Sequence, residues 1–120
     1  MSKFISFFEI PAADFNRAID FYQTVFNITL PVMDCDTEKM AFFNEGEKCV
    51  GAISWAKDFL PSLNGVLIHF NCDDLEKTLS VIQSKGGIVV IPKTKIEAED
   101  RGYFAVFTDS EGNRIGLYQD

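Results

Sequence analysis

The chain has 120 residues, of which 47% are apolar and 24% charged. That is too apolar for disorder, and long enough for one domain, or two small modules sharing a core, to fold without staples. A net charge of −7 argues against nucleic acid and anionic membranes as partners, since both select a basic face. Cys35, Cys49 and Cys72 are odd in number and lack C-x-x-C spacing, so neither a disulfide framework nor a zinc cage is expected. The apolar start is interrupted by Glu9, too early for a signal peptide, and no run approaches the roughly 18 residues of a membrane span. The expectation is a protein of the reducing cytoplasm.

Residues 3–10 read as a short apolar strand. Phe15, Ala18, Ile19, Tyr22, Val25 and Phe26 then recur at helical spacing, which predicts a helix over 14–26 with Asp14 in its N-terminal turn. Strands are expected near 28–35, 40–44 and 49–56, and the stretch 57–64 reads as a linker. A strand near 65–72 leads into a second helix over 74–85, marked by Leu75, Thr78, Leu79 and Ile82. Asp73 with Glu76 resembles a capping box for it, and Gly86-Gly87 a stop. Strands near 88–94, 102–108 and 113–119 complete the chain. Pro31 and Pro92 belong on sheet edges or at strand ends, because proline cannot donate to a ladder.

The two halves echo each other. Asp14-Phe-Asn-Arg-Ala-Ile19 matches Asp74-Leu-Glu-Lys-Thr-Leu79 in pattern, at an offset of 60 (74 − 14). Ala41-Phe42-Phe43 is echoed by Ala105-Val106-Phe107 in the same order. A duplicated unit follows, and with it an α+β domain over 1–120 built of two βαβββ modules, about 1–56 and 65–120.

Phe8-Glu9-Ile10-Pro11-Ala12-Ala13-Asp14, Arg17 to Tyr22, Gly102-Tyr103-Phe104-Ala105 and Asp109 to Leu117 carry a family resemblance across nearly the whole chain. It resembles the glyoxalase/bleomycin-resistance/dioxygenase superfamily, the vicinal oxygen chelate proteins. The resemblance implies sheets curled into an open barrel around a cavity, with helices outside. It also implies dimers, some of which exchange modules between chains, and a homodimer is predicted. Characterised enzymes of this superfamily hold a divalent metal with His, Glu or Gln. Mapped here, those positions fall at Phe7, Leu67 and Gly116, with a weaker one near Gly51. None carries a donor for a divalent ion, so neither metal nor other cofactor is expected.

Strand parity points to what faces the cavity. Val66, Ile68 and Phe70 form an apolar face for the helices, leaving Leu67, His69 and Asn71 inward. In the first strand Phe4, Phe8 and Ile10 meet the helices, leaving Ile5, Phe7 and Glu9 inward. Glu9 and His69 differ by the repeat offset and are expected to face one cavity as an acid–base pair. The plainer reading makes each a buried polar group or a clamp between modules. Phe7, Leu67, Trp55 and Tyr118 are candidate ligand-binding walls, and Arg114 a candidate anion contact. Ser110-Glu111-Gly112 reads as a hairpin turn, and no nucleophilic triad is legible. Three functions remain. The first is metal-independent binding of an unknown small molecule. The second is a lyase or isomerase using Glu9 and His69, with or without a divalent metal. The third is an unrelated ferredoxin-like dimer.

Overall fold

The computed structural model describes residues 3–120. The first module runs β1 (Phe8–Pro11), α1 (Phe15–Phe26), β2 (Val32–Asp34), β3 (Glu38–Glu45) and β4 (Lys48–Ala56). The second runs β5 (His69–Asn71), α2 (Leu75–Ser84), β6 (Ile88–Lys95), β7 (Tyr103–Thr108) and β8 (Arg114–Gln119). Both helices begin where an aspartate can accept the orphan N–H groups of the first turn. Asp14 accepts from the Arg17 N–H at 3.1 Å and Asp74 from the Lys77 N–H at 3.2 Å. The cap of α2 is thus Asp74 rather than the expected Asp73.

The sheets have the same order, β1-β4-β3-β2 and β5-β8-β7-β6. In each, the first and last strands of the module pair in parallel, and the rest pair antiparallel. Glu9 lies opposite Ala52 and His69 opposite Gly116, so the sequence repeat survives as a structural one. Pro31 immediately precedes β2, and Pro92 sits in the edge strand β6 within the register shift between Ile91 and Thr94.

One core serves both modules. Phe15, Ala18, Phe21, Tyr22 and Val25 of α1 join Leu75, Leu79 and Ile82 of α2, with Ile53 and Leu117 from the two sheets. The apolar stripe of α1 is wide enough to reach beyond its own sheet. Phe21 lies 6.2 Å from Phe107, and Tyr22 lies 6.1 Å from Phe70, by ring centroids. The sheets remain two separate ladders with no closed barrel, and the helices share the core between them.

A polar seam locks the modules together. Glu111, in the turn before β8, accepts from the Ala13 N–H at 3.0 Å, the Asp14 N–H at 2.7 Å and the Arg17 guanidinium at 2.8 Å. Burial pushes the Glu111 carboxyl up, but the Arg17, Asp14 and Ser110 hydrogen bonds outweigh it, and its pKa is lowered. Below it, the Tyr22 hydroxyl donates to buried Asp109 at 2.7 Å, and Asn113 donates to the Pro11 carbonyl at 2.8 Å. Burial first, then the Asp109 carboxylate, pushes the Tyr22 phenol well above its ordinary value.

Two strands are shorter than their apolar runs. The segments before β1 and β5 were expected as strands from residues 3 and 65, yet β4 and β8 reach only Phe8–Pro11 and His69–Asn71. A strand needs a ladder partner as well as an apolar sequence. Among the described residues the leading segments find none beyond the Ile68 carbonyl, which accepts from the Gly116 N–H at 2.8 Å, and Phe4 and Val66 stand 89% and 88% exposed. The strand expected over 28–35 likewise contracts to Val32–Asp34.

Candidate functional site

Parity holds over β5 itself, whereas Val66, expected against the helices, is exposed. Phe70, Ile115 and Leu117 turn into the core, so His69, Asn71, Gly116 and Tyr118 share the opposite face. His69 lies directly over Gly116. A β-carbon at position 116 would clash with the imidazole, so the missing side chain is what gives the ring its place. On the same face the Tyr118 hydroxyl accepts from the Gly102 N–H at 3.1 Å. Arg114 is exposed at the start of β8, opposite Thr108.

The first module is built differently. Glu9 is exposed on β1, and its carboxylate accepts from the buried Ser54 hydroxyl at 2.7 Å. Phe8, on the other face, covers Gly51. Trp55 takes the helix side with Ile53 rather than the Glu9 face expected of it, because residues two apart on a strand share a face. There Lys39 lies 5.6 Å from its ring centroid, beside the start of α1. Phe7 and Leu67 are exposed in the unpaired segments before β1 and β5.

A cleft of about 580 Å³ opens between the modules at the far end of α1. Its floor is aromatic. Phe26 and Phe70 lie 4.9 Å apart, Phe43 and Phe70 5.3 Å, and Phe8 and Phe43 5.7 Å. His69 and Asn71 stand on one wall, and Asn44, Lys48 and Cys49 of the β3–β4 hairpin on the other. Of the expected site residues, His69 lines this cleft, whereas Glu9, Phe7, Leu67, Trp55, Arg114 and Tyr118 do not. Within one protomer, then, His69 shares the cleft with hairpin residues and not with Glu9. The separation follows from strand parity, since Phe8 of β1 lines the cleft whereas the next residue, Glu9, turns its carboxylate to Ser54.

The hairpin residues were not legible as site residues. Lys48-Cys49-Val50 reads as an ordinary strand start, and only the reversal at Gly46, with φ +63°, brings it toward β5. The four phenylalanines were legible individually, as apolar positions, but not as one surface.

The chain's residues do not fit the divalent metal of the resembled enzymes. Phe7, Leu67 and Gly116 offer no donor, and the His69 ring occupies the space a side chain at 116 would need. Among the described residues no group of three or more His, Cys, Asp or Glu side chains could hold an ion.

Comparison with known proteins bears on the whole chain. Residues 4–117 match the family model described as "Glyoxalase/Bleomycin resistance protein/Dioxygenase superfamily". No curated protein matches. Among solved structures, a genomically encoded fosfomycin resistance protein from Listeria monocytogenes aligns with a TM-score of 0.69 at 17% identity, covering 100% of this chain and 93% of that one. A glyoxalase family protein from Enterococcus faecalis gives 0.71 at 14% identity, covering 98% of each. A glyoxalase I mutant from Zea mays gives 0.74 at 19% identity, covering 97% of this chain and 45% of that one. At these identities the likeness is one of fold.

Proposed function

The chain belongs to the glyoxalase/bleomycin resistance protein/dioxygenase superfamily, and from that premise we propose that it is a metal-independent small-molecule-binding protein of the cytoplasm. One observation carries the reading: an aromatic-floored cleft of about 580 Å³, within the range of organic-ligand sites, holds an imidazole seated on Gly116. Apolar walls with a few fixed polar groups bind by burial and orient by hydrogen bonding. All three cysteines are unpaired, in keeping with a reducing compartment.

Saturation-transfer NMR with a panel of small aromatic and aliphatic compounds tests the reading. Binders should perturb the His69 ring resonances, and His69→Ala should weaken them about tenfold, the equivalent of roughly 1.4 kcal/mol. A panel with no binders, or binders indifferent to His69, counts against it. Stoichiometric metal in protein purified without chelator would overturn the metal-independent part.

We also propose a homodimer, supported by the two unpaired apolar segments that prolong β1 and β5. The second reading, a lyase or isomerase with Glu9 and His69 as base and acid, depends on it. Glu9 does not line the cleft that His69 lines within one protomer, so a shared cavity needs Glu9 from one protomer and His69 from its partner. Residual turnover of any substrate by a Glu9→Gln, His69→Ala double variant at the wild-type rate would remove that reading.

A further inference from the structure

We infer that the cleft selects small organic anions, an aromatic or short aliphatic body carrying one carboxylate or similar group. The inference rests on the reading of the cleft as a ligand site and names the chemistry it takes. On a chain of net charge −7, the cleft is locally basic: Lys3 and Lys48 line it against one acid, Glu45. The cations and the floor occupy different places. Lys3 and Lys48 are exposed, whereas Phe43 is buried and Phe8, Phe26 and Phe70 are half-buried.

A ligand entering this cleft therefore meets apolar rings at the bottom and positive charge at the rim. An apolar body gains from leaving water over the phenylalanines. An anionic group left at the rim keeps part of its hydration while gaining Lys48, which avoids the cost of burying an isolated charge. A cation of the same shape would find two lysines against Glu45 alone. A neutral compound would use the floor and leave the rim idle. Asn71, able to donate through its amide, lies on the same wall as His69 and adds a second uncharged contact for an oxyanion.

The test compares 2-naphthoate with 2-naphthamide, which share a ring system and differ in charge. Titration is followed by amide NMR of the full chain, and in parallel by the rate at which iodoacetamide alkylates Cys49, read by peptide mass. Cys49 is exposed and lines the cleft, so an occupant should slow its alkylation. The expected result is 2-naphthoate binding at least five-fold more tightly than the amide and protecting Cys49. Lys48→Glu, at an exposed position, should weaken the naphthoate at least tenfold while leaving the amide within two-fold. Equal binding of the two probes, or a Lys48→Glu variant that binds both as the wild type does, overturns the anion inference and leaves the cleft as a site for neutral ligands. Failure of both probes to shift cleft resonances or protect Cys49 overturns the cleft reading itself.

Discussion

Glu111 is where one side chain determines how the modules join. Its side chain is only 1% exposed, and it satisfies two backbone N–H groups at the start of α1 together with the Arg17 guanidinium. Removing it takes a charged acceptor from all three donors, so Glu111→Ala should lower unfolding free energy by about 2 kcal/mol in urea titration. The pH dependence has a definite sign. The folded-state pKa of Glu111 is lowered, so its contribution is complete above the ordinary glutamate range near 4.3 and is lost as pH falls through the folded value. The stability gap between wild type and Glu111→Gln should therefore be constant from neutral pH to about pH 5, the upper edge of that range, and close below it. A gap that widens on acidification would refute the assignment. Gly116 makes a second test at this scale. Gly116→Ala should displace the His69 ring, visible as shifted imidazole resonances and weakened probe binding without loss of the fold.

At the scale of elements, the two helices look alike in sequence but are anchored differently. Both have an aspartate cap, yet only the α1 cap is itself held by a residue from the other module: the Asp14 N–H donates to Glu111. Asp74→Ala should cost about 1 kcal/mol, the usual loss for a cap, and should add to Glu111→Ala within about 0.5 kcal/mol. Asp14→Ala with Glu111→Ala should instead couple by more than about 0.5 kcal/mol in a double-mutant cycle. Additivity at α1 would mean the seam and the cap act independently. What the sequence made legible at this scale is local. Helical periodicity placed α1 and α2 within one residue at each end, because Phe15 to Phe26 and Leu75 to Ile82 repeat at the helix period. Parity placed Phe70 in the core and His69 opposite, because alternation needs no knowledge of the partner strand. The Asp109–Asn113 turn was legible as a turn but not as the clamp between modules. Its contacts reach Pro11, Asp14 and Tyr22, about a hundred positions away, and nothing in the local pattern records them. Trp55 was misplaced as well. Parity was expected to turn it inward, yet it lies two residues from core Ile53 on the same strand and shares that face.

For the whole molecule, the unsatisfied feature is the pair of leading segments before β1 and β5. Each is rich in apolar residues, and each leads into an edge strand whose ladder stops at Phe8 or His69. Phe4, Ile5 and Phe7 are 89%, 72% and 51% exposed, and Val66 and Leu67 are 88% and 40% exposed. An isolated protomer would leave these rows of N–H and C=O groups, and the side chains between them, open to any passing strand. In the proposed homodimer a second copy would supply the complementary edge. The segment before β1 in one protomer can meet the segment before β5 in its partner, and two-fold symmetry repeats the contact. Each fully buried large apolar side chain contributes about 1.5–3 kcal/mol, so a few such residues per contact suffice to hold a dimer at micromolar concentration. Sedimentation equilibrium should give twice the protomer mass, and the melting temperature should rise with protein concentration. The double variant Ile5→Glu, Val66→Glu changes two exposed side chains outside the core, so it should fold, sediment as a protomer and lose the concentration dependence. A wild-type chain that sediments as a protomer across the micromolar range would show that these edges stay open, and would separate Glu9 from His69 for good.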